Sequence, residues 1–387
     1  MPKDVAAQKP RPGTSRCPGL DRASGPRLPP IRGYSDGMTS TPVADHPARP
    51  LRRLVALGAG LIAATTAAGW VGAWLAPAGS VIGWLCDLTT HFRVSTALAA
   101  VVGLVVAFRH GGIAARLALG TVAAVHAVEL LPAWLPGATA GAERRDGAVI
   151  DVVCLNVRYS NRDTERVLAY LRSTRADVVA VVEVDGVWAD AIASLGGDYP
   201  FAHVKRGDSY EGIALLSRWP LRDAEVVDFG TRGMPSIVAT VITPAAEITV
   251  IATHPRPPMG PALDGELRHH LREVGRRAAA SASPCLVVGD LNATPWCEAF
   301  RGLVAAGRLR DSAAGRGIQN TWNARLWVPR IPIDHILVSP DVTVLDRRVG
   351  PDVGSDHFPV EARLVVPSRQ RDGATSARSM PSRLSFL

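Results

Sequence analysis

The sequence predicts an α/β fold, with packed sheet layers flanked by helices, carried behind about three membrane-spanning helices. Three observations lead there. No charged residue occurs between Leu54 and Cys86, and two further apolar stretches follow before residue 136. From residue 148 the texture changes to short runs of apolar and β-branched residues separated by turn formers, with a few helical stretches among them. Nearly every one of those runs stops on Asn, Glu, His or Asp, which gathers polar groups at strand ends, as in layered sheets covered by helices.

Residues 1–50 are rich in Pro, Arg, Gly and Ser with few large apolar side chains, and such a segment buries too little surface to offset the entropy of ordering. It reads as a disordered tail, and Met38 opens a segment that could itself start a membrane protein. In the transmembrane region, 51–136, LVALGAGLIAATTAAGWVGAWL (54–75) supplies about the 20 apolar residues that cross a bilayer core. Ala76 and Ala78 would suit a signal-peptide cleavage site, but the apolar run is too long for one and more such runs follow. The second span covers about 90–108 and the third 117–135. The third carries His126 and Glu129 one turn apart, and a carboxylate there marks either a functional site or a position near the interface beside Pro132 and Trp134.

Arg49, Arg52 and Arg53 precede the first span, and Arg109, His110 and Arg116 lie between the second and third, so both ends belong in the cytoplasm. Everything after about residue 136 is then expected outside it, in a multi-pass protein of the cell membrane. A linker, 137–147, leads to the domain at 148–366, and 367–387 reads as a basic disordered tail. The five cysteines are odd in number and contain no CxxC pair, so neither a disulfide framework nor a zinc site is indicated. The net charge of +8 belongs to the tails: residues 147–366 carry 24 Lys and Arg against 26 Asp and Glu. A footprint for phosphate backbone should lie on the domain that binds it, so the balance disfavours duplex DNA.

Within 148–366, helices are expected at 161–174, capped by Asn161 or Asp163, and at 261–280. The strand-terminal polar residues are, in order, Asn156, Glu183, His254, Asp290 with Asn292, Asp334, and Asp356 with His357. Any one of them alone reads as a turn; together they form a coherent chemical set. Glu183 with the Asn156 oxygen suits a hard divalent cation, and magnesium keeps several waters and takes one or two protein carboxylates. Asp290 could accept a proton from a water held by Asn292. His357, oriented by Asp334, would face charge developing on a phosphoryl oxygen. The parts suit metal-assisted attack on a phosphoester.

LNVR, VVEV, GIALLSRWP, THP, GDLNATPW, IDHILVS and GSDHFPV resemble the successive motifs of the endonuclease/exonuclease/phosphatase (DNase I-like) family, whose members include nucleases, sphingomyelinases and inositol-polyphosphate phosphatases. The resemblance covers about 148–366 and implies a four-layered α/β sandwich of two packed mixed sheets with the active site at one rim. It implies Asn156, Glu183 and Asp356 as metal-side residues, with magnesium as cofactor or manganese in its place. It further implies His254 as a phosphate contact or proton donor, Asp290 as the base, Asn292 as its orienting partner, and Asp334 with His357 as a supporting pair. His335 is given no role. TWNARLWVPRIP (321–332) is the richest recognition candidate, since its Trp and Arg content could stack bases, sit in a lipid interface, or simply pack on the sheet. The expectation is a membrane-anchored, metal-dependent phosphodiesterase whose partners are the lipid bilayer and a nucleic-acid or lipid phosphodiester. The alternative is a membrane scaffold or sensor that binds a phosphorylated ligand without turnover.

Overall fold

Two six-stranded sheets lie face to face in the computed structural model, which describes residues 48–75, 79–135, 147–326 and 328–368. Most of the predicted tails, nearly all of the linker and Trp327 lie outside the described residues. The first sheet runs β11 (Thr343–Val349), β12 (Val360–Pro367), β1 (Gly147–Asn156), β2 (Val178–Val182), β4 (Ile213–Ser217) and β3 (Phe201–Lys205). The second runs β5 (Leu221–Val227), β6 (Ser236–Ile242), β7 (Glu247–Ala252), β8 (Cys285–Asp290), β10 (Asp334–Val338) and β9 (Arg310–Asp311). Each sheet is mixed, with one parallel pair at its centre, β1 with β2 and β7 with β8.

Alternation along the strands builds the layers. Ile150, Val152 and Cys154 of β1 point into the space between the sheets, where they meet Ile237, Val250, Leu286 and Ile336 of the second sheet. Val153 and Leu155 point the other way, onto α5 (Thr164–Thr174) and α6 (Gly186–Ala193), through Leu171 and Trp188. Ile251 and Val287 of the second sheet likewise pack against α7 (Pro261–Ala279) and α8 (Glu298–Gly307), through Leu271 and Phe300. Burial on both faces explains why the central strands read as unbroken apolar runs. The result is the four-layered sandwich that the family resemblance implies.

Topology then gathers the strand ends. The parallel pairs β1–β2 and β7–β8 finish at one rim, while β10, antiparallel to β8, starts there with Asp334 opposite Asp290. β12, antiparallel to β1, also starts there, just after His357. Gly289 permits the closest approach: a Cβ on it would lie 1.8 Å from the Thr253 carbonyl oxygen, so only glycine lets β7 deliver His254 beside Asp290.

Before the sandwich lie α1 (Ala48–Leu75), α2 (Val81–Thr90), α3 (Arg93–His110) and α4 (Ile113–Leu130). Three helical stretches, 49–72, 93–110 and 113–133, are long and apolar enough to cross a membrane. α1 starts at Ala48, inside the predicted tail, because Pro50 is tolerated in a first helical turn. The separate α2 is not in the sequence reading, which began the second span at about residue 90; Ser80 caps it by accepting the Gly83 N–H. Glu129 pairs with Arg93 and with His126 Nδ1 (2.9 Å), and His126 Nε2 meets Thr66 Oγ1 at 3.1 Å. That network joins α1, α3 and α4, so Glu129 is a member of the bundle's internal polar contacts.

Candidate active site

Two of the strand-end residues depart from ordinary strand geometry. Glu183, just after β2, and Asn292, just after β8, both take the left-handed conformation, with φ of 64° and 49°. Asn tolerates this readily, whereas for Glu it is uncommon and is held by neighbours, a recurring feature of functional sites. Glu183 Oε1 accepts from Asn156 Nδ2 at 2.8 Å and its Oε2 from the Tyr159 N–H at 3.0 Å.

Asn156 joins the two sheets. Its Nδ2 also donates to Asp290 Oδ2 at 3.0 Å, while its oxygen accepts the Arg158 N–H at 2.8 Å. Asp290 Oδ1 accepts the Asn292 N–H at 2.9 Å, and Oδ2 faces His254 Nε2 at 3.6 Å and His357 Nε2 at 3.7 Å. Asn292 Nδ2 donates to the Pro255 carbonyl at 2.9 Å, which fastens the loop after His254 to the loop after Asp290. On the far side of His357, Nδ1 meets Asp334 Oδ2 at 2.9 Å. Asp356 lies nearer solvent, with Arg158 Nε at 3.9 Å from its carboxylate.

Burial and charge sort these groups. Burial raises the Asp290 carboxyl above its usual range and the neighbouring Asp334 raises it further, against the opposing pull of His357 and His254. Burial also disfavours a charged His357 ring, but Asp334 and Asp290 outweigh it and lift His357 to about 10. His357 is therefore an imidazolium clamped between two carboxylates. Asp290, Asp334 and His357 do bring ligand atoms within 4.8 Å of one another, but both ring nitrogens of His357 already face carboxylates, Nδ1 that of Asp334 and Nε2 that of Asp290, as a ring that donates to them does. Glu183 and Asp356 are different: they are only partly buried hard-oxygen donors lining an open cleft of about 610 Å3. The four carboxylates of Asp290, Asp334, Glu183 and Asp356 outnumber the cations near them, His357, Arg158 and Arg256, and Asp334 Oδ1 is buried without a hydrogen-bond partner. That donor set fits a hard divalent cation at Glu183 and Asp356, with the Asn156 oxygen beside them.

All eight residues predicted as site residues meet at this rim. His335 does not: it is buried below it, its Nε2 against the Ala293 carbonyl at 2.9 Å. Sequence reasoning missed the supports. Ser355 Oγ donates to the Asn156 carbonyl and accepts the His357 N–H, and Thr321 Oγ1 accepts the N–H groups of Ile333 and Asp334. Thr253, before His254, is locked by Ser236 (2.7 Å) and His270 (2.8 Å), whose ring burial lowers to about 4 and keeps neutral. The Ser-Asp-His order of GSDHFPV was a signal for Ser355; the others carried none. Trp322 lies in the cleft wall, its ring 6.4 Å from that of His357, so part of the predicted recognition segment does face the site. Also in the wall are Tyr159, Tyr210 and, from the helical region, Leu88, His91 and Phe92.

The profile of the Endonuclease/Exonuclease/phosphatase family matches residues 153–357, more than half of the 387-residue chain. The chain belongs to this family. Members of the endonuclease/exonuclease/phosphatase family are hydrolases acting on phosphodiester bonds. Similar solved structures include an endonuclease/exonuclease/phosphatase from Beutenbergia cavernae, 21% identical with a TM-score of 0.49, covering 58% of this chain and 72% of that one. A humanized D. rerio TDP2 is 17% identical with a TM-score of 0.48, covering 56% and 98%. Sphingomyelinase C from Streptomyces griseocarneus is 17% identical with a TM-score of 0.44, covering 56% and 99%. No curated protein matches the chain in sequence.

Proposed function

We propose that the protein is a membrane-anchored, divalent-metal-dependent phosphodiesterase whose catalytic domain works outside the cytoplasm. The observation that carries the catalytic part is Asp290: a buried carboxylate of raised pKa, held by two N–H donors, between His254 and His357 and beside the partly open acids Glu183 and Asp356.

The chain's own residues account for the proton movements. Asp290 accepts a proton from the attacking water as the water oxygen bonds to phosphorus, and Asn292, through its hold on the Pro255 loop, keeps His254 over the same spot. As the bond from phosphorus to the leaving oxygen breaks, His254 gives that oxygen a proton. His357, kept charged by Asp334, faces the negative charge that builds on the phosphoryl oxygens. Glu183, Asp356 and the Asn156 oxygen would hold a magnesium ion, which when bound supplies neutralisation of a phosphoryl oxygen.

Anchoring is supported by the parity of the helices. α2 lies between the first and second candidate spans, and the sandwich follows the third, so two crossings separate them and return them to one face. The hydrogen bond from Trp84 Nε1 to the Pro258 carbonyl, 2.7 Å, needs that common face. At the other end, Arg52 lies against Gly112, where an added Cβ would come within 3.2 Å of its Nη2, which groups the basic residues away from the sandwich. The full chain in lipid nanodiscs should hydrolyse bis-p-nitrophenyl phosphate with magnesium and lose that activity in excess EDTA. Full activity in EDTA would defeat the metal-dependent reading. Alkaline phosphatase fused after residue 366 should be active in a bacterial host and inactive when fused after residue 111; the reverse pattern would invert the orientation.

A further inference from the structure

α2 is not a free linker between two spans. Besides the Trp84 bond to Pro258, its Asp87 Oδ1 accepts the Glu298 N–H at 3.1 Å, at the start of α8, and its Oδ2 lies 3.4 Å from Arg268 of α7. These contacts press the α2–α3 corner onto the open side of the catalytic cleft, where Leu88, His91 and Phe92 stand in the same wall system as Glu183, Asp290 and His357. None of the three falls in the family region, 153–357.

The added wall changes the chemistry of the cleft. Leu88 and Phe92 line it together with Pro257, Pro258, Met259 and Ile331, so much of the wall around the acids is apolar. Met259, beside the Trp84 contact, is 78% exposed, and Val81, Ile82 and Leu85 leave an apolar outer face on α2 itself. An apolar rim adjoining two candidate spans has the chemistry of a surface that meets a bilayer interface. A groove for nucleic acid needs cations that track the backbone, and Arg256 is the one Arg or Lys among the described residues lining this cleft.

We propose that the α2–α3 corner is a substrate-binding wall of the active site, and that the substrate is a phosphodiester carried on a lipid lying in the same membrane as the spans. This rests on the phosphodiesterase reading above and adds the substrate class. The lipid's polar end reaches Asp290 and His357, and its glycerol or acyl portion lies along Leu88, Phe92 and Met259.

The test uses the full chain in vesicles of phosphatidylcholine, phosphatidylethanolamine and phosphatidylglycerol in equal parts, with magnesium, reading release of phosphorylated headgroup or phosphatidic acid by mass spectrometry. Bis-p-nitrophenyl phosphate and a single-stranded oligonucleotide are measured in parallel. The expected result is lipid cleavage, with the double variant Leu88→Ala, Phe92→Ala lowering the ratio of lipid to bis-p-nitrophenyl phosphate turnover by about tenfold or more, as loss of apolar contacts to a substrate does. Phe92→Leu, which keeps apolar bulk, should recover most of the ratio and guards against misfolding of the double variant. Cleavage of the soluble diester or the oligonucleotide with lipid left intact overturns this inference alone. An unchanged ratio in the double variant overturns the role of the corner. Failure to cleave any of the three substrates overturns the phosphodiesterase reading and this inference with it.

Discussion

The first sheet brings Asn156 and Glu183 to the rim, with Asp356 and His357 just before its strand β12, and leaves Glu183 and Asp356 partly open to solvent. The second sheet brings His254, Asp290 and Asp334, and buries all three. The comparison separates two uses of carboxylates. The partly open acids Glu183 and Asp356 can face a hydrated cation, whereas Asp290, buried next to Asp334, is made more basic. Each use requires the other sheet: Asn156 of the first donates to Asp290 of the second, and Asp334 of the second charges His357 of the first.

The sharpest way to break this division is Asp290→Asn. The amide keeps the shape and the Asn292 hydrogen bond but cannot take a proton, so turnover should fall by about 10²–10⁴-fold. The melting temperature should change little, because relief of the repulsion with Asp334 offsets loss of the hydrogen bond from Asn156 Nδ2. A retained kcat with a lowered melting temperature would show Asp290 to be a turn residue.

Asp334→Asn should cost less. Loss of one charge-assisted hydrogen bond is about 1.5–3 kcal/mol, or roughly 10–100-fold if it is felt in the transition state. It also sharpens the comparison through pH. His357 lies at about 10 when folded, against about 6.5 when unfolded. A raised histidine contributes stability that is complete below about pH 6.5 and is lost as the pH climbs toward the folded value. The native protein should therefore lose melting temperature between about pH 7 and 10, and the variant should show a flatter curve over the same window. Parallel curves would mean that Asp334 does not set the charge on His357.

Glu183→Gln tests the open half of the site. Removing one ligand charge should move the magnesium titration midpoint to higher concentration by about tenfold, with near-full kcat recovered at saturation. A midpoint that stays where it was would remove Glu183 from the metal side. The smallest effect is expected from Thr321→Val, which strips the acceptor from the N–H groups of Ile333 and Asp334. It should cost about 1–3 kcal/mol of stability, or roughly 2–4 °C per kcal/mol in a domain of this size. A larger loss of turnover than of stability would give the second sheet's rim a role beyond support.

Much of this was legible beforehand. The central strands were readable because burial on both faces leaves long apolar runs, and the helix at 164–174 because Asp163 caps it by accepting the Arg166 N–H. All four edge strands were missed: β3 and β5 are exposed at most positions of Phe201–Lys205 and Leu221–Val227, β9 is only two residues long, and Asp346, Arg347 and Arg348 interrupt the apolar run of β11. α6 and α8 were missed as well, being short and following catalytic loops whose turn residues dominate the local pattern.

The sequence by itself determined the apolar spans, the sheet-rich domain and the identity of the eight polar strand ends, since each depends on residue type and local spacing. Only the tertiary structure decided which acids are open and which are buried, and hence which are suited to a cation and which to a proton. Desolvation and through-space charge are properties of neighbours brought from elsewhere in the chain, as Asp334 is to His357. The same holds for Leu88 and Phe92, which read as membrane residues in sequence and become cleft walls only because Trp84 and Asp87 bind the sandwich.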